Sequence, residues 1–386
     1  MLAVLLAAGV LLAGCGNGKS TLQAGADAPE TTSTEEPAAE TAGEEESADA
    51  AEKADEPEIE LPDEEELIAD YTSVEGLDLE EGTCFAVVAK NVGSGYWDAV
   101  KEGISQAIDD LNETLGYEGS DKITFTFEGT KDETDVDEQV NTLEAVLTEA
   151  TLSGKPYVLC LAAIDMNSCE ALLEAADGSG IPVIVLDSGV TSDLVRTSCV
   201  TDNYDAGREA AIRLCQEIGD SGQVAVAAHM SLSESSQKRV DGFTDEIAEN
   251  HPDVSVVQIS YEPESEEDSS IREQMEAVLT LYPDLKGYFC TNESISIEAL
   301  SVLGDHQDRE IALVGFDMGK TQIQAIRDGA EAGVVTQNPY GMGYATVVAG
   351  ARAILGLENE DEIDPGFQWI DLENIDLEEN QKYIYE

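Results

Sequence analysis

Residues 84–97 read Cys-Phe-Ala-Val-Val-Ala-Lys-Asn-Val-Gly-Ser-Gly-Tyr-Trp, and from this stretch the fold class can be predicted. The first six residues form a continuous apolar run, which is typical of a parallel strand covered on both faces. After the two glycines, apolar residues recur every three or four positions, so we predict an amphipathic helix that buries one stripe. The recurring residues are Trp97, Val100, Ile104, Ile108, Leu111 and Leu115.

The alternation of apolar runs and helical patterns continues along the chain. Predicted strands cover residues 84–89, 123–127, 157–161, 182–186, 224–228, 254–259, 287–290 and 311–316. Such alternation predicts an α/β fold built from right-handed βαβ units. The strands are too many for one six-stranded sheet, and the alternation restarts near residue 202, so we predict two doubly wound parallel-sheet lobes. Open α/β sheets bind ligands outside the carboxyl ends of their strands, which places the predicted site in the cleft between the lobes.

Amide and carboxylate side chains follow several predicted strands. Asp187 and Asp317 stand directly after such strands, Asn292 stands two residues after Cys290, and Gln337 stands near the last strand of the chain. Carboxylates accept hydrogen bonds from hydroxyl groups, and amides both donate and accept them. The adjacent aromatic residues 96 and 97 can cover the apolar face of a sugar ring. Together these residue types predict a neutral, polyhydroxylated ligand.

Taken in order, these segments resemble the periplasmic binding proteins of the ribose/galactose type, which are receptors of sugar ABC importers. The resemblance runs from about residue 82 to the C-terminus and rests on segments 87–97, 181–187, 200–203, 242–243, 292–293 and 314–317, with Gln337. It implies a type I periplasmic-binding-protein fold, in which two lobes are joined by a multi-strand hinge. It also implies a monomer that holds a sugar-like ligand and docks on an ABC permease with its ATPase.

The resemblance assigns roles to individual residues. Tyr96 and Trp97 fall where the family sandwiches the sugar, and Ser94 falls on a usual polar contact. The ring-hydroxyl binders would be Asp187, Asn292, Asp317 and Gln337. The hinge crossings would lie at Thr201, Asp202, Asn338 and Gly366. The first lobe would comprise residues 81–201 and 338–366, and the second would comprise 202–337 and 367–386.

Two departures from the ribose-type pattern leave the identity of the ligand open. Ser188 and Gln237 stand where ribose-type receptors usually carry arginine, and a lost guanidinium removes several fixed donors. The stretch from Lys90 to Trp97 is more similar to the opening of the furanosyl autoinducer receptors, which present a lysine to the ligand. We therefore include Lys90 among the predicted ligand-binding residues, although Asn292-Glu293 does not match those receptors.

The N-terminus predicts export and attachment. Its apolar run is too short to span a bilayer, fits a secretion signal, and ends in Leu-Ala-Gly-Cys15. This ending resembles the lipobox of bacterial lipoproteins, which implies that residues 1–14 are removed and Cys15 is lipidated. No Lys or Arg precedes the run, which is a departure from the usual signal. We expect a protein held by its lipid on the outer face of the cytoplasmic membrane.

The charge of the chain is strongly acidic and unevenly placed. The 82 acidic and 19 basic residues give a net charge of −63, which opposes binding to nucleic acid. Residues 21–60 contain very few large apolar groups, so we predict that residues 15–80 form a disordered acidic tether.

Catalytic signatures are weak in this sequence. We recognise no Gly-rich phosphate loop, nucleophile elbow or metal-ligand spacing, so we predict no enzyme activity, no cofactor and no metal. Two alternatives stay open. Asp187 and Asp317 could form the carboxylate pair of a glycoside hydrolase, or the closed lobes could signal to a chemoreceptor or histidine kinase instead of an importer.

Overall fold

The computed structural model describes residues 69–263, 265 and 268–385, and its first lobe is built on a six-stranded parallel sheet. The strands of this sheet are β1 Cys84–Ala89, β2 Thr124–Gly129, β3 Tyr157–Leu161, β4 Val183–Leu186, β5 Thr197–Cys199 and β11 Glu362–Ile363. They lie in the order β11-β5-β4-β3-β1-β2. The helices of this lobe are α1 Gly95–Leu115, α2 Val136–Ser153, α3 Glu170–Gly178 and α9 Pro339–Ile354. Helices α1 and α9 cover one face of the sheet, and α2 and α3 cover the other.

The second lobe repeats this architecture. Its strands are β6 Gly222–Ala228, β7 Val254–Tyr261, β8 Leu285–Cys290, β9 Ala312–Phe316, β10 Gly333–Gln337 and β12 Phe367–Asp371, in the order β12-β10-β9-β8-β6-β7. Its helices are α4 Asn203–Glu217, α5 Glu234–Asn250, α6 Ile271–Leu281, α7 Glu293–Asp305 and α8 Lys320–Asp328. Helices α4 and α5 pack on one face, and α6 and α7 on the opposite face. Both lobes are therefore doubly wound, and the predicted fold class is confirmed.

A continuous apolar run indicates a strand that is buried on both faces, and this holds only for strands in the middle of a sheet. In β1 every residue is buried, because successive side chains enter the cores on opposite faces. In β2, which is an edge strand, exposed and half-buried residues alternate, so the prediction of two buried faces is wrong there. The strand β12 is also at an edge, and it runs antiparallel to β10.

Close helix contacts attach α9 to the first lobe although it follows the second in sequence. Gly103 of α1 and Gly343 of α9 face each other's helix backbone, and a Cβ atom at either position would collide with a carbonyl oxygen of the other helix. Glycine at both positions therefore allows the two helices to approach closely. The pair buries Val100, Ile104 and Met342 in the core of the first lobe.

Residues 69–80 are part of the folded body, so the prediction of a disordered tether as far as residue 80 is wrong for this segment. Val74, Leu77 and Leu79 are buried in the core of the first lobe, and the Tyr117 hydroxyl donates to the Leu79 carbonyl at 2.8 Å. The segment carries enough apolar side chains to offset its ordering entropy, unlike residues 21–60. The predicted signal (1–14), Cys15 and the rest of the tether up to residue 68 lie outside the described residues.

The chain passes between the two sheets at three places. Thr201 and Asp202 follow β5 and lead into α4, Asn338 follows β10 and leads into α9, and Gly366 stands between β11 and β12. The Asn338 side-chain amide donates to the Pro365 carbonyl at 3.0 Å, which ties two crossings together. Gly366 has φ of 87°, in the left-handed region that favours glycine.

Candidate ligand-binding site

A cavity of about 450 Å³ lies between the two lobes, at the carboxyl ends of strands from both sheets. All eight side chains predicted to bind ligand line it. They are Lys90, Ser94, Tyr96, Trp97, Asp187, Asn292, Asp317 and Gln337. The first five belong to the first lobe and the last three follow or end strands of the second, so the cavity is shared.

Asp187 is held on both of its oxygens. The Tyr96 hydroxyl donates to Oδ1 at 2.7 Å, and the Lys90 ammonium lies 3.0 Å from Oδ2. Burial, followed by the nearby carboxylate of Asp187, raises the pKa of Tyr96 well above its usual value, so this hydroxyl stays a donor. Each carboxylate oxygen offers two lone pairs, which leaves acceptor capacity for a ligand.

Asp317 occupies the matching position in the second lobe. Its Oδ1 accepts from the Gln337 amide at 2.8 Å, and its Oδ2 accepts from the Glu293 backbone N–H at 3.3 Å. The Gln337 carbonyl oxygen accepts in turn from the Thr201 hydroxyl at 2.8 Å, at one of the crossings. Burial raises the pKa of Asp317, and the positive charge of Arg239 opposes this rise.

The two aromatic residues lie against each other. The Tyr96 and Trp97 ring centroids are 5.2 Å apart and their planes are 88° apart. A sugar cannot fit between rings in edge-to-face contact, so the prediction that this pair sandwiches the ligand is wrong. Both rings are more than nine-tenths buried and supply one side of the cavity.

Ser94 and Asn292 begin helices at the cavity. The Ser94 hydroxyl accepts from the Trp97 backbone N–H, and Asn292 Oδ1 accepts from the Ile295 N–H, so each caps a helix that starts beside the site. Asn292 is buried, and its Nδ2 has no hydrogen-bond partner among the described residues. This amide is therefore available as a donor toward the cavity.

Several residues that line the cavity are absent from the predicted set. They include Glu133, His229, Ser235, Arg239, Glu262 and Glu293. Glu133, His229 and Glu262 come after β2, β6 and β7. His229 and Glu262 directly follow parallel strands, as Asp187 does, so the same rule applies to them, whereas Glu133 stands four residues after β2. The edge-strand character of β2 and β7 made those strand ends less conspicuous in the sequence.

Arg239 supplies a guanidinium to the cavity, although Ser188 and Gln237 replace the usual arginines. Gln237 bonds the Ser231 carbonyl at 2.7 Å and does not line the cavity, whereas Arg239, two residues later, does. Its Nε donates to Asn203 Oδ1 at 2.8 Å and its Nη1 to the Thr291 carbonyl at 2.7 Å. The cavity therefore contains one guanidinium, from a position two residues beyond the one at which ribose-type receptors usually carry arginine.

Other features of the described residues lie away from this cavity. The cysteines at positions 84, 160, 169, 199, 215 and 290 are buried and unpaired. Cys215, Asp220 and His251 group their possible metal-ligating atoms within 4.8 Å of one another. Burial raises the pKa of the Cys215 thiol to about 12, and His251 Nδ1 lies 2.9 Å from Asp220 Oδ1. Over residues 69–263, 265 and 268–385, no helix combines the length and apolarity required to cross a membrane.

The sequence and the fold match a known family of proteins. The model of the periplasmic binding protein domain matches residues 85–358, and the chain belongs to this family. Among curated proteins, the ribose import binding protein RbsB of Salmonella typhimurium is 23% identical over 199 residues, which are 52% of this chain. The match spans 66% of that relative, and 55% of the corresponding Bacillus subtilis protein.

Solved structures match over a larger part of the chain. A carbohydrate transporter solute-binding protein from Agrobacterium radiobacter, in complex with D-arabinose, has a TM-score of 0.68 and 25% identity, covering 80% of this chain and all of its own. An ABC transporter solute-binding protein from Agrobacterium vitis with bound D-fucose has a TM-score of 0.68 and 27% identity, covering 79% of this chain and all of its own. These matches agree with the two-lobed type I fold.

Proposed function

We propose that this protein is an extracytoplasmic solute-binding protein that captures a sugar or a similar polyhydroxylated molecule and delivers it to an ABC importer. The ligand would occupy the cavity between the lobes and leave it chemically unaltered. The bound sugars of the two Agrobacterium structures and the ribose import role of the Salmonella relative support this ligand class.

The observation that carries the proposal is the convergence of hydrogen-bonding groups from both lobes on one cavity. Asp187 of the first lobe and Asp317 of the second each keep lone pairs free after their internal bonds. Charge-assisted hydrogen bonds contribute about 1.5–3 kcal/mol each. A ligand that bonds both carboxylates gains only when the lobes are together, so it favours the closed state.

The lobes touch directly outside the cavity. The Gly189 N–H donates to Glu234 Oε2 at 2.8 Å, and the Met166 N–H donates to the Leu232 carbonyl at 3.0 Å. These bonds join the first lobe to the start of α5 in the second. Such contacts suit a closed form that presents both lobes to a permease at once, and the three crossings suit a hinge.

The proposal extends to attachment at the membrane. Cys15 would carry the lipid, and the acidic residues between it and the folded body would act as a spacer. Like charges at this density repel one another and extend a chain.

A thermal-shift screen against pentoses, hexoses and polyols tests the proposal. A ligand at 100 times its Kd stabilises the folded state by about 2.7 kcal/mol, which raises Tm by several degrees. We expect at least one sugar to do so for the wild-type protein and much less for Asp317→Asn. A panel in which no member shifts Tm, or a shift equal in both proteins, would contradict the proposal.

A further inference from the structure

The cavity carries more negative than positive groups. Six carboxylates line it: Asp132, Glu133, Asp187, Glu262, Glu293 and Asp317. Three basic side chains line it: Lys90, Lys131 and Arg239. His229 adds no charge, because burial and the nearby Lys90 and Arg239 lower its pKa well below the usual value. The formal balance of these side chains is −3, with the carboxylates in excess.

In the formal count, each of the three basic groups is offset by an aspartate that lines the cavity. Lys90 lies 3.0 Å from Asp187 Oδ2, and Arg239 lowers the pKa of Asp317. Lys131 is exposed and adjacent in sequence to Asp132, which is also exposed. The excess therefore resides in the three glutamates of the cavity.

These three glutamates, at positions 133, 262 and 293, come from different elements of both lobes. Glu133 precedes α2, Glu262 follows β7, and Glu293 begins α7. None of the three forms an ion pair among the described residues, and only Glu133 accepts a side-chain hydrogen bond, from Trp97 Nε1 at 3.3 Å. All three are half-buried and line the same cavity, and the charge of Glu133 acts on both Glu262 and Glu293.

The pKa values of the three glutamates are all raised, as expected for buried carboxylates that share one cavity. Burial, and then the charges of Glu133 and Asp132, raise the pKa of Glu262 to about 7. Burial, and then the charges of Asp317 and Glu133, raise the pKa of Glu293 to about 7. Burial also raises the pKa of Glu133, although Lys90 opposes this. Adjacent carboxylates without a cation disfavour one another's charge.

A second observation concerns two side-chain donors that line the cavity. Arg239 is 2% exposed and lines the cavity, and its Nη2 has no hydrogen-bond partner among the described residues. The Nδ2 of Asn292, a side chain that is 8% exposed, is unpartnered there as well. Both nitrogens belong to buried side chains that line the cavity, so they are available to donate to a ligand there. Such a ligand would accept from this side of the cavity and meet the glutamates as well.

We propose that the ligand carries an ammonium group, which lies among Glu133, Glu262 and Glu293, as in an amino sugar or another cationic polyol. This inference rests on the proposed function, since it assumes a ligand in the inter-lobe cavity. The ammonium donates three hydrogen bonds and balances the excess charge, while the hydroxyl groups reach the aspartates and the free donors. A neutral sugar leaves the three carboxylates either repelling one another or protonated.

Titration calorimetry with matched sugars tests this at pH 7.5. The probes are D-glucosamine against D-glucose and D-galactosamine against D-galactose, with the N-acetyl forms as neutral amides. We expect at least one amino sugar to bind at least tenfold more tightly than its hydroxyl and N-acetyl counterparts. Lowering the pH to 5.5 is expected to weaken that binding, because Glu262 and Glu293 take up protons below about pH 7 while the ammonium stays charged.

Charge-neutral variants locate the effect. Glu262→Gln and Glu293→Gln are expected to reduce affinity for the amino sugar about 10- to 100-fold, and to reduce affinity for the neutral sugar by a much smaller factor, because only the amino sugar loses a charge-assisted bond. Glu310→Gln is the matched control, because Glu310 is exposed and does not line the cavity. Its affinities should equal those of the wild-type protein.

The possible failures separate the two proposals. If a neutral sugar binds as tightly as its amino counterpart, or more tightly, the inference of an ammonium group is wrong, and the proposed function still stands. Calcium binding in the absence of any sugar, if it is abolished in the two glutamine variants, also overturns the ammonium proposal, because the glutamates would then be metal ligands. Binding of neither sugar series contradicts both proposals.

Discussion

Asp187 and Asp317 show the site at the scale of single residues. Both have positive φ, 61° and 70°, which is uncommon for residues other than glycine and which aspartate tolerates better than most. Each follows a central parallel strand, β4 or β9, and each backbone N–H donates to the neighbouring strand or segment, to Cys199 or Val335. Both carboxylates line the cavity. The strain is therefore located where two lobes must present equivalent groups.

Asp187→Asn is expected to weaken ligand binding by about 2 kcal/mol, roughly 30-fold, because charge-assisted hydrogen bonds to the ligand are lost. It should also destabilise the protein by about 3–5 kcal/mol, since Lys90 then remains as a buried charge without its partner. Calorimetry and urea unfolding measure the two effects. Asparagine is preferred to alanine here, because alanine would add strain at a φ of 61°.

The double variant Lys90→Met with Asp187→Asn separates folding from binding. Removing both charges should restore most of the stability while binding stays weak. Unchanged affinity in Asp187→Asn would remove this carboxylate from the site.

The sequence contains much of the information about these residues, but not about their partners. A carboxylate after a buried strand can be placed at the sheet edge from chain order alone, which explains why Asp187 and Asp317 were predicted to line one cleft. The Lys90 ion pair and the Tyr96 hydrogen bond could not be predicted, because they depend on rotamers and on packing between elements far apart in sequence. For the same reason the edge-to-face contact of Tyr96 with Trp97 contradicts the predicted sandwich.

At the scale of elements, the second lobe contains a buried acid between β9 and the helices beside it. Glu331 is 2% exposed, and neither carboxylate oxygen has a hydrogen-bond partner among the described residues. Gly315 of β9 leaves room for it, since a Cβ atom there would collide with the carboxylate. Burial raises the pKa of Glu331 to about 8, and the nearby Gln322 amide opposes this rise. The group is therefore protonated in the folded protein at neutral pH.

Glu331→Gln is expected to change how stability depends on pH. Because the folded pKa of about 8 exceeds the usual value of 4.5, the contribution of the wild-type group is full below pH 4.5 and is lost as pH rises to about 8. Relative to wild type, the variant should therefore gain on the order of 3 kcal/mol of unfolding free energy between pH 5 and pH 9. Urea titrations at both pH values measure this gain. Glu310→Gln should show a constant difference, and a flat result for Glu331→Gln would mean that the acid ionises freely in the fold.

The sequence predicts central strands well, because they carry a continuous apolar pattern, and it predicts short strands and edge strands poorly. The central strands β1 and β3 match their predicted bounds, because a fully buried strand must be apolar throughout. The strands β5 and β11, of three and two residues, are too short to carry a pattern. The antiparallel β12 reads Phe-Gln-Trp-Ile-Asp, and only its place beside β10 makes it a strand.

At the scale of the whole molecule, the two lobes are joined by more than the three crossings. The Tyr385 ring packs edge-on against Tyr96 of the first lobe, with centroids 5.8 Å apart, and its hydroxyl accepts from the Met318 N–H of the second at 3.1 Å. The end of the chain, predicted to belong to the second lobe, thus contacts both. Lys238 of α5 lies 3.4 Å from Glu362 of β11 and adds an ion pair across the lobes.

The central claim is that one ligand bridges both lobes in the cavity between them. A crystal structure of the protein with the tightest-binding sugar from the calorimetric series tests it most directly. The account predicts the sugar within hydrogen-bond distance of Asp187 from the first lobe and of Asp317 and Asn292 from the second. A ligand bound outside this cavity, or one that contacts a single lobe, would contradict it.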